Sequence, residues 1–414
     1  MPADLSWSVA LDGAERDRAL AIVQAIATDL RARFDGSSAV DEHDAWSLAL
    51  GRSGVALFFG YLAEALGDTD ARSLAGQLIE DSLESAVGVA PLDCLFTGVA
   101  GVGWVLAHLD LFDLSDGDPN DAVDAALLDI VSAPPEQGEY DLVAGLTGVG
   151  VYALERLPRR RAVELVRAVA GRLAELARAD PAHPLWWTSA EGLQTQIRTN
   201  FPDGAWNLGL AHGAPGVIGF LARACAAGID THVVRPLLEA AVEWYLGQQV
   251  AFDDGPAFPG FAAPAAKPSR SRLAWCYGDP GVAGSLFQAG KRAAMPTWQA
   301  AAVTIGERAA KQSLADSGVV DAGICHGSAG LAHIYNRLWQ ATGSPALRDA
   351  TAEWLERVMR AHRPGQGVGG FQARNGARWV SDPGFLTGAA GVGLVLLAAA
   401  TPVEPLWDRV LLLS

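Results

Sequence analysis

Two kinds of hydrophobic segment alternate along the chain. The first carries apolar residues at every third or fourth position. In "RALAIVQAIATDLRARF" (18–34), Leu20, Val23, Ile26 and Leu30 share one face. "RAVELVRAVAGRLAELARA" (161–179) and "ALRDATAEWLERVMRAH" (346–362) read the same way. This spacing predicts amphipathic helices lying over a core. The second kind is apolar nearly all round, which predicts helices buried on several sides. Each segment of the second kind follows a Gly-x-x-Gly tetrapeptide, and seven such turns occur: "GRSGVALFFG" (51–60), "GVAGVGWVLA" (98–107), "GLTGVGVYAL" (145–154), "GAPGVIGFLA" (213–222), "GDPGVAGSLF" (278–287), "GSAGLAHIYN" (327–336) and "GAAGVGLVLL" (388–397). Their second glycines, at 54, 101, 148, 216, 281, 330 and 391, are 47, 47, 68, 65, 49 and 61 residues apart. A recurrence near 50 residues with insertions marks a repeat architecture. Its unit is an amphipathic helix, a loop, a glycine turn and a buried helix.

Seven helix pairs can stack as an open solenoid or close into a ring. An open stack needs polar caps over its end faces. The last repeat, "GAAGVGLVLLAAA", is among the most apolar. The expected fold is therefore all-α: an α/α toroid of seven inner and seven outer helices, forming one domain over 1–414. All inner helices would then begin at one end of the ring, gathering seven glycine loops there. Glycine suits such loops because it permits positive φ and close backbone approach. In "GDPG", Asp279 is expected to cap the helix and Pro280 to occupy its first turn. The stretch 183–209 is poor in helical periodicity and rich in Trp, Thr, Gly and Pro. It reads as an irregular or partly extended insertion, and 252–272 reads as a loop. Both are expected to frame a site at the loop end.

Composition narrows the function. The chain has 414 residues, half of them apolar, and a net charge of −16. No Lys/Arg cluster interleaves with aromatics, which argues against nucleic-acid binding. The start of the chain lacks the basic and apolar regions of a signal peptide. The longest apolar run, near 391–403, is too short to span a bilayer. Four cysteines, Cys94, Cys225, Cys276 and Cys325, are too few for a disulfide scaffold. A reduced, cytoplasmic protein is expected.

The seven turns share a backbone theme but differ in polar side chains. Leu50, Thr97, Ala144 and Thr387 are plain residues before the first glycine. The fourth to sixth turns instead read "AHGAPG" with His212, "WCYGDPG" with Cys276, and "CHGSAG" with Cys325 and His326. In a closed ring these would be neighbours at one end. Two thiolates and an imidazole suit Zn²⁺ and leave its fourth position open, as in catalytic zinc sites. A loop at a helix N-terminus can turn adjacent Cys325 and His326 inward, and the positive helix end favours thiolate. The plainer reading is that a cysteine in an apolar chain is a small core residue. That is the expectation for Cys94 and Cys225. His43, His108, His183, His232, His333 and His362 are expected to have ordinary roles.

The blocks "NLGLAHGAPG" (207–216), "WCYGDPG" (275–281) and "CHGSAG" (325–330) resemble the signatures of the lanthionine synthetase C-like family, and "YDLVAGLTGVG" (140–150) resembles a fourth. The likeness runs over nearly the whole chain. It implies an α/α toroid of seven helix pairs, with zinc at Cys276, Cys325 and His326. It also implies roles for His212, Asp141, Arg272 and Tyr277. The activity implied is that of the stand-alone class I cyclases. They add cysteine thiols to dehydroalanine or dehydrobutyrine in a dehydrated lanthipeptide precursor, leader and core, closing (methyl)lanthionine rings. A dehydratase and an exporter complex are the companions this implies. Members that add glutathione to dehydrated residues carry a similar residue set. A non-catalytic peptide-binding toroid with structural zinc is opposed by the three-ligand set. A helical-toroid glycosidase would need paired carboxylates in the loops, and Asp141 with Asp279 make a poor pair.

Overall fold

The computed structural model describes residues 7–34, 45–86, 88, 90–111, 117–133, 139–180, 182–253, 255–264 and 266–414. His43 lies outside them. Fourteen long helices carry the fold among the described residues: α1 (Gly13–Arg33), α2 (Arg52–Leu66), α3 (Thr69–Ala86), α4 (Val99–Leu109), α5 (Asn120–Ser132), α6 (Leu146–Glu155), α7 (Arg160–Leu176), α8 (Ala214–Ala226), α9 (Thr231–Leu246), α10 (Asp279–Arg292), α11 (Pro296–Ala309), α12 (Ser328–Thr342), α13 (Pro345–Ala361) and α14 (Ala389–Ala400). The seven that follow the glycine turns are buried on every side; all twelve residues of α14 are buried. The others bury one stripe, as α7 does with Ala162, Leu165, Val166, Val169, Ala170, Leu173 and Ala174. One hydrophobic cluster extends from Leu11 to Leu413.

The buried helices touch in succession: α2 on α4, α4 on α6, α6 on α8, α8 on α10, α10 on α12, α12 on α14, and α14 back on α2. The circuit of contacts is closed. Each amphipathic helix packs on the buried helix that precedes it: α3 on α2, α5 on α4, α7 on α6, α9 on α8, α11 on α10 and α13 on α12. The sequence unit, amphipathic helix first, is thus phased differently from the packed pair. Short turns such as Leu66 to Thr69 hold each pair together. The remaining helix, α1, packs on α14. Hydrogen bonds from Trp7 Nε1 to Ala398 O, Ala10 N to Ala399 O and Arg16 Nε to Ala400 O, each 2.8 Å, fix that contact. The C-terminal residues 406–413 bury themselves against the inner helices. Trp275 Nε1 and Arg223 donate to Leu411 O and Arg409 O, at 3.0 and 2.9 Å. Asp408, fully buried, accepts from His333 Nε2 and Arg337 Nε at 2.7 Å each.

The glycine turns explain themselves sterically. A Cβ on the second glycine would meet the carbonyl oxygen six residues earlier in every turn. The partners are Leu48, Leu95, Leu142, Leu210, Trp275, Ile324 and Phe385. Positive φ is not the general reason. Six of the first glycines are extended, between −101° and −140°, and only Gly278 is at +87°. Close approach is what excludes a side chain here. It packs the turns tightly enough to hydrogen-bond one another. Ala49 N donates to Phe96 O (2.9 Å), Leu95 N to Val143 O (3.1), Leu142 N to Ala211 O (3.1), Ala211 N to Cys276 O (3.3), Cys276 N to Cys325 O (3.3), Cys325 N to Leu386 O (2.8) and Leu386 N to Ala49 O (3.0). The belt runs through all seven turns and returns to its start.

Short strands β1 (Trp187–Thr188), β2 (Ala205–Asn207), β3 (Val250–Phe252), β4 (Gly255–Ala257), β5 (Phe261–Ala262), β6 (Ala373–Asn375) and β7 (Arg378–Val380), with a few short helical turns, lie between the long helices. The 183–209 insertion is partly extended, as expected. The 252–272 stretch is not plain loop: it holds β4 and β5, and β2 pairs with both β1 and β5 in one antiparallel sheet. Asp279 does not cap α10. Its Oδ1 accepts from Phe258 N (2.9 Å) and its Oδ2 pairs with Arg308 (3.3 Å), tying the 252–272 stretch to α11.

Candidate functional site

The belt places equivalent residues of each turn side by side. Five residues before the second glycine stand Ala49, Phe96, Val143, Ala211, Cys276, Cys325 and Leu386. The two cysteines are thus one repeated backbone position in adjacent turns, joined by the bond from Cys276 N to Cys325 O. One residue later stand Leu50, Thr97, Ala144, His212, Tyr277, His326 and Thr387. The ligand atoms of Cys276, Cys325 and His326 lie within 4.8 Å of one another. The Cys325 thiol donates to the Cys276 sulfur. With His326 and Arg272 also close, this holds the Cys276 pKa well below the ordinary thiol value against the effect of burial. The same pairing, with burial, raises Cys325. His326 Nδ1 is buried and has no hydrogen-bond partner among the described residues. A buried orphan nitrogen is costly unless something binds it. Two sulfurs and one imidazole nitrogen form a donor set that fits Zn²⁺.

The turn before α8 supplies His212 and the turn before α6 supplies Asp141. His212 Nδ1 donates to Asp141 Oδ2 at 2.6 Å. Asp141 Oδ1 is held by the amides of Val143 (3.0 Å) and Ala144 (2.8 Å), so the carboxylate cannot swing away. Burial pulls the His212 pKa down. The Asp141 hydrogen bond and charge, with Cys276 and Glu139 behind them, more than offset it, and the imidazole is held above its ordinary value. Tyr277 follows Cys276 directly. Its ring lies 6.3 Å from His212 and 5.9 Å from Phe261 of β5. Its hydroxyl accepts from Asn207 Nδ2 at 3.0 Å. Burial raises its pKa to about 12, so it stays a neutral phenol.

Arg272 is exposed, and its guanidinium makes no hydrogen bond or ion pair with the described residues. Its charge still bears on Cys276, and its carbonyl abuts Gly278. Cys94 departs from the core expectation. It is half-buried at the loop end, where Asp93, Glu139 and Asp141 help burial raise its pKa. Cys225 packs partly exposed against the core. His108 joins Tyr61 and Glu155 in a buried chain, at 2.9 and 2.8 Å. Three polar residues escaped the sequence reading: Glu139, Asn207 and Asp321. All stand nine residues before a second glycine, as do Arg272 and Asp382. Aligning the turns on that glycine would have exposed them.

Residues 42–412 match the family described as lanthionine synthetase C-like protein. The chain belongs to the lanthionine synthetase C-like family. Among solved structures, this lanthionine synthetase C-like protein is similar to one named nisin cyclase. The TM-score is 0.76 and the identity 20%, over 96% of this chain and 98% of that one. No curated protein matches this family member in sequence. Among its described residues, no helix is long and apolar enough to cross a membrane.

Proposed function

We propose that this chain is a zinc-dependent lanthipeptide cyclase, a single α/α toroid domain over 1–414 working in the reduced cytoplasm. Its substrate would be a precursor peptide, leader and core, already dehydrated by a partner enzyme and later exported. The observation that carries the reading is the meeting of Cys276, Cys325 and His326 within 4.8 Å, with the His212–Asp141 pair on the neighbouring turns. Cys276, Cys325 and His326 would hold Zn²⁺, which in such a site lowers the pKa of a thiol at its open position.

The chain's own residues serve the rest of the addition. A substrate thiol loses its proton and its sulfur bonds the β-carbon of a dehydro residue. The π pair moves to the α-carbon and carbonyl as an enolate, and the α-carbon then takes a proton. Atoms balance without redox chemistry. His212, whose protonated form Asp141 favours, is the acid for that last proton. Tyr277, neutral and positioned by Asn207, donates toward the enolate oxygen, and the Arg272 charge stabilises it.

The test is incubation with a synthetic peptide carrying one dehydroalanine and one cysteine, followed by alkylation of free thiols. Thiol loss without mass change is expected. Cys276→Ala should abolish it together with bound zinc while far-UV circular dichroism is kept. Unchanged cyclisation by metal-free Cys276→Ala sinks the proposal. If added glutathione becomes attached instead, the enzyme is an intermolecular thiol transferase.

A further inference from the structure

Asp321 opens the sixth glycine turn and its side chain is 1% exposed. Both of its oxygens are engaged. Oδ1 accepts from Gly323 N at 3.2 Å, and Oδ2 accepts from Arg374 N of β6 at 3.0 Å. That same Oδ2 stands 4.0 Å from His326 Nε2. The other ring nitrogen, Nδ1, is the buried orphan described above.

Asp382, nine residues before Gly391, provides the internal comparison. It makes the same local brace, accepting from Gly384 N at 2.7 Å. Its second oxygen takes the Thr387 hydroxyl, in a turn with no cysteine or histidine. An aspartate here is therefore a common loop brace. What distinguishes the sixth turn is an imidazole in front of the carboxylate.

We propose that Asp321 is a positioning residue of the metal centre. Its carboxylate selects the His326 tautomer that carries the proton on Nε2, which leaves the lone pair on buried Nδ1 free to bind the metal. At 4.0 Å the pair is longer than a direct hydrogen bond. The negative charge still favours a proton on the near nitrogen over the far one. Carboxylates behind ligating histidines commonly fix ring orientation and basicity in this way. β6 enters the centre too, because the Arg374 amide holds the oxygen that faces His326. The inference rests on the proposed zinc reading.

The experiment compares wild type, Asp321→Asn and Asp382→Asn as purified full chains. Bound zinc is counted, its affinity is measured against a chromogenic chelator, and metal-free melting is recorded. Asp321→Asn should bind zinc about 10–100-fold more weakly. Asp382→Asn, the same loss of charge in a matched brace, should bind normally, and the two metal-free variants should melt alike. Equal zinc affinity in wild type and Asp321→Asn overturns the inference, as does equal weakening in both variants. A wild-type chain that binds no zinc overturns the proposed function itself, so the two failures are separable.

Discussion

Gly281→Ala tests the link between the ring's backbone and its chemistry. In an ordinary helix interior, glycine to alanine gains about 0.5–1 kcal/mol. Gly76 in α3 and Gly171 in α7 are such sites, since an added Cβ meets nothing within 4 Å. At Gly281 the Cβ would stand 2.0 Å from Trp275 O, a backbone atom. Restoring even 3.0 Å needs a shift of 3.0 − 2.0 = 1.0 Å. Overpacking of this kind costs about 1–3 kcal/mol and outweighs the helix gain. The moving carbonyl belongs to the residue before Cys276, whose amide and carbonyl are both in the belt. Site residues tolerate displacements of only about 0.5 Å, so the sulfur should leave its place. We expect Gly171→Ala to raise the urea midpoint and leave zinc affinity unchanged. Gly281→Ala should lower the midpoint and weaken zinc binding about 10-fold or more. If Gly281→Ala instead matched Gly171→Ala in both measurements, the steric account of the glycine turns would be wrong.

Two further outcomes follow from the charges. Asp141 supports the raised His212 pKa; in the proposed role the acid is active when protonated, so activity should fade as pH rises through that pKa. Asp141→Asn should move the alkaline limb of the cyclisation pH–rate profile to lower pH; an unmoved limb would remove His212 from the acid role. Asp408 is held well below the carboxylate range: Arg337 and His333 outweigh its burial. A depressed carboxylate stabilises the fold above its unfolded pKa and loses that contribution as pH falls through its folded one. Asp408→Ala should cost about 3–5 kcal/mol at neutral pH, because Arg337 loses its buried partner. Urea denaturation as a function of pH should show that penalty shrinking toward acid.

The repeat was legible because a steric rule leaves a mark in every copy. No side chain fits against the carbonyl six residues earlier, so the second glycine recurs seven times. Cys276 and Cys325 were legible for a related reason: they break an apolar position of that repeat. Asn207 and Asp321 were not, because they lie nine residues upstream of the second glycine, outside the Gly-x-x-Gly turn, at a position whose residue type varies from Ala45 and Leu92 to Arg272 and Asp382 and stands out only when the turns are aligned. The phase of the pairs was hidden as well. An amphipathic helix declares which face it buries but not which neighbour covers it, and only the packing assigns α1 to α14. Asp279 misled because a residue type suited to capping lies one position too late: Gly278 occupies the N-cap position, and Asp279 is already within the helix.

The docking of α1 on α14 has a consequence for how the molecule is made. The bond from Trp7 to Ala398 joins residues 391 apart in sequence. Synthesis therefore makes α1 long before α14, the helix it packs on. Chains elongate at about 5–20 residues per second. During most of synthesis α1 has an apolar stripe and no native partner, and the partial arc of inner helices has two uncovered sides. Neither gap can close until α14 has been made. Cys325 and His326 stand just before α12, so the proposed metal centre too is completed long after α1 is made and shortly before α14 closes the circuit.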